Sequence, residues 1–118
     1  MTAVLPVMRE LDGVYVTRLG AEVDMSNATA LRLALAERVP IDATGLVVDL
    51  SETVYFDSAG VHMLFDLADQ LAVRQQGLAV AVPRTSPIRR LLQVVRLDER
   101  MPMTETVEAA VAALRTAL

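Results

Sequence analysis

The stretch between residues 46 and 61 constrains the fold more than any other part of the sequence. Residues 46–50 (LVVDL) are a short apolar run, typical of a strand that is buried on both faces of a parallel sheet. From Val61 onward, apolar residues recur at helical spacing. Asp57 and Ser58 therefore lie where the chain has left a strand and enters the first turn of a helix. Backbone N–H groups point outward at such a position.

The remaining elements are predicted from apolar periodicity and from turn residues. The predicted elements are strands at 4–11 and 14–19, a helix to about residue 38, a strand at 45–50, a helix at 58–76, a strand at 78–82, a third helix after Ser86-Pro87, an extended piece at 101–103 and a last helix after Thr104. This order predicts an α/β fold with a mixed sheet of four to five strands and about four helices packed on it.

Several residues are predicted to begin or end these elements. Asp12-Gly13 indicates a hairpin turn, because both turn positions need a positive φ. Asp24, Ser26 and Asn27 are three candidate N-caps of the first helix, and Gly77 is the predicted C′ residue of the second. The predicted buried faces of the last two helices are Ile88, Leu91, Leu92 and Val95, and Val107, Val111, Leu114 and Leu118.

Composition excludes several classes of function. The formal net charge of −4 argues against a nucleic-acid surface. All 11 basic residues are arginine, so a P-loop lysine, a Schiff-base lysine and a lysine general base are excluded. There is no cysteine. We expect one cytoplasmic domain over residues 1–118 that is not an enzyme, with no signal peptide, no membrane segment, no cofactor and no metal.

The turn at Asp57 and Ser58 has three chemical alternatives. Ser58 and His62 are four residues apart, but the DSAG context differs from the Gly-x-Ser-x-Gly elbow of hydrolases. A phospho-acceptor aspartate of the receiver type needs a carboxylate pair for Mg²⁺ and a lysine, and the chain has no lysine. A single histidine and scattered acidic residues make a metal site a poor fit.

Ser58 then has two interpretations. In the structural one, Asp57 or Ser58 is only an N-cap, which contributes about 1 kcal/mol to the helix. In the functional one, Ser58 is a regulatory serine, and a phosphate there adds about −1.5 to −2 charges where N–H groups and the helix dipole tolerate an anion. Position alone favours the N-cap.

Residues 48–51 (VDLS) and 56–60 (FDSAG) together resemble the signature of STAS domains, specifically of the anti-sigma factor antagonists. The resemblance extends over nearly the whole chain. Glu22-Val23-Asp24 is similar to the family's region before the first helix, Ser86-Pro87 with Arg89 and Arg90 to its third-helix start, and residues 104–114 to its closing helix.

The resemblance implies a partner-switching cycle. An anti-sigma factor with a histidine-kinase-like fold acts as a serine kinase on Ser58, the unphosphorylated antagonist binds that kinase and frees the sigma factor, and a metal-dependent serine phosphatase resets the system. ATP and Mg²⁺ belong to the kinase, and the free antagonist is expected to be a monomer. The implied partner-binding residues are Asp24, Asp57, Ser58, Ala59, Gly60, Val61 and His62.

Two positions depart from the family pattern. Either Ala21 stands in for the glycine before the first helix, or Gly20 does and the loop is one residue longer. His62 places a bulky ring close to the serine. Because STAS domains also serve as ligand sensors and as scaffold modules of stress-signalling or lipid-transport complexes, a sensor with an apolar pocket is the alternative function.

Overall fold

The protein is built on a five-stranded mixed sheet. The structure is a computed structural model that describes residues 6–117. The strands are β1 (Met8–Leu11), β2 (Val14–Arg18), β3 (Glu22–Val23), β4 (Gly45–Asp49), β5 (Tyr55–Phe56), β6 (Gly77–Ala81) and β7 (Met103–Thr104). The α-helices are α1 (Ala28–Arg38), α2 (Ser58–Val73), α3 (Arg89–Val94) and α4 (Val107–Thr116), with a 3₁₀ turn at Leu97–Glu99.

The strand order in the main sheet is β1-β2-β4-β6-β7. Strands β1 and β2 are antiparallel, and every other pair in this sheet is parallel. Helices α1, α2 and α3 pack on one face of the sheet, and α4 packs on the other. The α/β fold class, the mixed sheet of five strands and the four helices are confirmed.

Strand β4 lies at the centre of the sheet, as its apolar sequence predicts. All five of its residues are buried. Leu46 and Val48 face the core under α1 to α3, whereas Val47 faces α4. Because side chains alternate across a strand, an apolar run without polar interruptions is needed where helices cover both faces.

The hairpin between β1 and β2 is also confirmed. Asp12 and Gly13 have φ values of 55° and 86°, the pair of positive angles that the two-residue turn requires. The first strand begins later than predicted, at Met8. Residues 4 and 5 of the predicted strand lie outside the described residues, as does Leu118 of the last predicted helix face.

The predicted C-terminus of α2 was wrong. The helix ends at Val73, and Gln75, with φ 62°, takes the left-handed position instead of Gly77. The Gln75 and Gln76 N–H groups donate to the carbonyls of Ala72 and Leu71, which is a Schellman motif. Gly77 instead begins β6, where a Cβ atom would come within 2.9 Å of Leu114. Close packing of α4 explains this glycine.

The starts of the last two helices also differ from prediction. Thr106 is the N-cap of α4 and accepts from the Ala109 N–H, whereas Thr104 lies in β7. Ser86 accepts from the Ile88 N–H in a turn before α3, which is only six residues long. Of the face predicted for this helix, Leu91 is exposed to solvent.

Strands β3 and β5 were not predicted. They pair in parallel as a separate two-stranded sheet, with Glu22 opposite Tyr55 and Val23 opposite Phe56. Val23 and Phe56 are buried, while Glu22 and Tyr55 are exposed. Two residues are too short a run for a periodic pattern, so only the pairing reveals them. This small sheet holds the segment before α1 beside the segment before α2.

Candidate functional site

The N-terminus of α2 is capped by Asp57. Its Oδ1 accepts from the Ala59 N–H at 2.9 Å and from the Gly60 N–H at 3.1 Å. Ser58 is the first residue of the helix, and its side chain is exposed. Of the two residues that were candidate N-caps here, Asp57 therefore has this function, and the Ser58 hydroxyl is not part of the cap.

Packing beneath the turn explains Gly60. A Cβ atom at this position would come within 2.9 to 3.0 Å of the Phe56 ring. Val61 is buried in the core under α1 to α3, and Ala59 is half-buried. Of the predicted partner-binding residues, Gly60 and Val61 thus face inward. They hold the turn against the protein while Ser58 faces outward.

The second carboxylate oxygen of Asp57 reaches the loop between β3 and α1. Its Oδ2 accepts from the Met25 N–H at 3.2 Å. This hydrogen bond joins residues 32 positions apart in sequence. Together with the pairing of β3 and β5, it places the loop that contains Asp24 next to the start of α2.

Asp24 is held by hydrogen bonds from its neighbours. Its Oδ1 accepts from the Ser26 hydroxyl and from the Ser26 N–H. The Ser26 hydroxyl and then the backbone N–H groups of Ser26 and Asn27 stabilise the charged carboxylate, so the pKa of Asp24 lies below its ordinary value.

Asn27 holds the same loop from the other side. It is the N-cap position of α1, but its side chain makes no capping hydrogen bond to that helix. Its Oδ1 accepts from the Asp24 N–H at 3.0 Å, and its Nδ2 donates to the Glu22 carbonyl at 2.8 Å. The side chains of all three candidate caps, Asp24, Ser26 and Asn27, therefore organise the loop ahead of the helix.

His62 is exposed, four residues after Ser58 on α2. No hydrogen bond joins the two side chains in the part of the chain that the structure describes. Among residues 6–117 there is also no group of three or more His, Asp or Glu side chains that could hold a metal ion. The site as it stands offers an exposed hydroxyl on a rigid helix start, flanked by carboxylates.

Three exposed apolar residues beside this turn were missed by the sequence analysis. They are Met25, Val54 and Tyr55. Tyr55 and Phe56 are adjacent residues of β5, so one points outward when the other is buried. A strand prediction at 54–56 would have revealed the outward position of Tyr55, but no periodic signal marked that strand.

Two surface hollows lie on the α4 side of the sheet. Their volumes are about 240 and 190 Å³, and Arg9, Arg18 and Asp49 line both of them. Asp49 is buried, accepts from Arg18 Nε at 3.2 Å and accepts from the Ser51 N–H at 2.9 Å. These charged and open hollows differ from the apolar pocket that a small-molecule sensor needs.

Comparison with known proteins supports one family. The family model described as the STAS domain matches residues 6–110. The anti-sigma-F factor antagonist RsfB of Mycobacterium tuberculosis is 31% identical over 104 residues, which cover 88% of this chain and 84% of RsfB. The described residues contain no helix that is long and apolar enough to cross a membrane.

Solved structures agree with this result. The structure of an anti-sigma factor antagonist from Mycobacterium paratuberculosis has a TM-score of 0.76 at 30% identity and covers 93% of this chain and 92% of its own. The phosphorylated form of the Bacillus protein SpoIIAA has a TM-score of 0.61 at 21% identity, with 93% and 99% covered. The latter likeness concerns the fold alone.

Proposed function

Because the chain belongs to the STAS domain family, among the anti-sigma factor antagonists, we propose that it acts by partner switching through Ser58. In this cycle the unphosphorylated protein binds an anti-sigma factor that is also a serine kinase, and the sigma factor is released. Phosphate on Ser58 ends the binding, and a serine phosphatase restores it. The chain is then the substrate of the kinase and not a catalyst itself.

The observation that carries this proposal is that Asp57 caps the helix and Ser58 does not. Asp57 supplies the N-cap, so the helix does not need the Ser58 hydroxyl. An exposed serine at a helix start without a capping role favours the regulatory interpretation over the structural one. SpoIIAA, which shares this fold, has a structure in its phosphorylated form, so a protein of this fold can carry a phosphate.

The expected effect of the phosphate is electrostatic exclusion from the partner. A serine kinase places a nucleotide phosphate and a carboxylate base next to the acceptor hydroxyl. A phosphate within about 6 Å of a partner carboxylate meets roughly 3 kcal/mol per unit charge at an effective dielectric near 20. After screening by salt, a net loss of about 2 to 4 kcal/mol remains, or about 30- to 1000-fold in affinity.

We expect the free domain to keep its conformation when Ser58 is phosphorylated. The N–H groups of Ala59 and Gly60 are already bonded to Asp57, so the phosphate projects into solvent instead of replacing the cap. The added charge next to Asp57 raises the local negative charge density. Binding is therefore expected to change while the fold does not.

The test uses the ATP-binding anti-sigma factor that co-purifies with the protein from its source cells. The purified pair is incubated with ATP and Mg²⁺, and mass spectrometry locates the phosphate. Modification of the wild type at Ser58, and none in Ser58→Ala, is the expected result. Ser51→Ala and Ser86→Ala are the matched controls and should be modified normally. Stoichiometric modification of Ser58→Ala would assign the acceptor to another residue and refute the proposal.

A further inference from the structure

We propose that Met25, Val54 and Tyr55 form an apolar anchor beside Ser58 that enters a socket in the partner rimmed by basic side chains. This inference rests on the proposed function, since it names the chemistry of the partner surface that meets the same site. It assigns binding energy to residues other than the serine and its helix turn. Phosphorylation of Ser58 then controls whether the partner binds, while the anchor supplies the contact area with the partner.

The exposure of these three side chains is the first observation. Met25 is 81% exposed, Val54 59% and Tyr55 51%. Large apolar side chains that are grouped at a surface mark sites of protein–protein contact when the group is rimmed by polar residues. Tyrosine and methionine are also enriched in the buried centres of such interfaces.

Backbone hydrogen bonds hold the anchor in place next to Ser58. The Met25 N–H donates to Asp57, the residue before the serine. The N–H groups of Val54 and Tyr55 both donate to the Ala21 carbonyl, at 2.8 and 3.1 Å. The backbone of the anchor therefore lies along both strands of the small sheet and is held in place before any partner arrives. A preorganised surface loses less entropy on binding.

The charges around the anchor indicate the chemistry of the partner. Residues 19–31 and 39–73 contain no arginine or lysine. Within residues 6–117, four carboxylates near the anchor make no ion pair. They are Glu22, Asp24, Glu52 and Asp57. Complementary potentials across an interface favour basic side chains on the facing rim.

The same charges argue against a second copy of this chain as the occupant. Two copies that meet through this surface would bring all of these carboxylates together, and like charges across an interface are unfavourable. An acidic surface with exposed apolar side chains instead fits a partner whose apolar socket has a basic rim.

The experiment measures steady-state phosphorylation of Ser58 by the co-purified kinase, which separates KM from kcat. Tyr55→Ser and Met25→Ser are each expected to raise KM about 30-fold, a change that corresponds to about 2 kcal/mol of lost contact. The value of kcat at saturation should stay within about twofold, because the serine and its cap are unchanged.

Val73→Ser is the matched control. Val73 is 83% exposed and lies at the other end of α2, about 22 Å from Ser58 at 1.5 Å per residue. Its KM should equal that of the wild type. Thermal unfolding of all variants checks that they are folded, which is expected because the replaced side chains are exposed.

The salt dependence of wild-type binding is the second measurement. An acidic surface that meets a basic rim should bind more weakly as ionic strength rises. Unchanged KM values in Tyr55→Ser and Met25→Ser overturn the anchor, even if Ser58 is phosphorylated. Salt-independent binding overturns the basic rim. Sedimentation measures the oligomeric state of both proteins. If the wild type is a dimer and Tyr55→Ser is a monomer, the occupant of this surface is a second copy of the chain, and the partner assignment is overturned. Absence of phosphate on wild-type Ser58 refutes the proposed function itself.

Discussion

Replacing Asp57 by alanine removes three hydrogen bonds at once, two to α2 and one to the loop before α1. Loss of an N-cap costs about 0.5 to 2 kcal/mol, and a hydrogen bond to a charged group contributes about 1.5 to 3. Because water can solvate part of the freed groups, we expect a loss near 2 kcal/mol in the free energy of unfolding. For 118 residues, this lowers Tm by about 8 °C.

Two variants make the experiment specific. Ser58→Ala should change stability by less than about 0.5 kcal/mol, because this side chain is exposed and does not cap the helix. Asp57→Asn keeps an oxygen for the Ala59 and Gly60 N–H groups but turns an NH₂ group toward the Met25 N–H. The free energy of unfolding of Asp57→Asn should fall by about half as much as that of Asp57→Ala, near 1 kcal/mol.

The assay combines urea unfolding, followed by circular dichroism, with hydrogen exchange of the Met25 amide. Faster exchange of this amide is expected in both Asp57 variants and not in Ser58→Ala. Equal stabilities for Asp57→Ala and Ser58→Ala would refute the assignment of the cap. Unaltered exchange at Met25 would refute the link between α2 and the loop.

Three further predictions concern the same region. Ser58→Glu should weaken binding to the anti-sigma factor about 30-fold or more while Tm stays within a few degrees of the wild type. Calorimetry at two salt concentrations should show a smaller difference in affinity between Ser58→Glu and the wild type at high salt. Gly60→Ala should cost about 1 to 3 kcal/mol, because its Cβ would press on the aromatic ring of β5, whereas Gly20→Ala, with open space around it, should be near neutral in urea unfolding. The pKa of Asp24 is lowered on folding, so its contribution to stability is present above the unfolded value of 3.8 and is lost as the pH falls through the folded value. Carboxyl NMR titration should give a midpoint below 3.8 that rises in Ser26→Ala; a midpoint that does not move would contradict the hydrogen-bond cause.

Much of the main sheet could be predicted because its signals are local. The run at 46–50 is apolar without interruption, and a strand covered by helices on both faces needs such a run. The Asp12-Gly13 turn needs two positive φ angles, and these residue types accept them. The start of α2 at Ser58 follows from the apolar spacing after it. In each case the residues that carry the signal are neighbours in the chain.

The details that depend on distant parts of the chain were decided by the tertiary structure. Gly77 looks like a helix stop in sequence, yet Leu114 on α4 accounts for it, and Gln75, two residues earlier, takes the left-handed position. The pairing of β3 with β5 leaves no periodic signal, because two residues per strand are too few.

The candidate site shows the same division. The sequence determined that an aspartate and a serine occupy the start of a helix after a buried strand. It did not determine which of them caps the helix, because Asp and Ser are equally good N-caps and the choice depends on backbone geometry. The hydrogen bond from Met25 to Asp57 forms between residues 32 positions apart, and the parallel pairing of β3 and β5 brings them together. Only the folded backbone could therefore place the exposed apolar side chains beside Ser58.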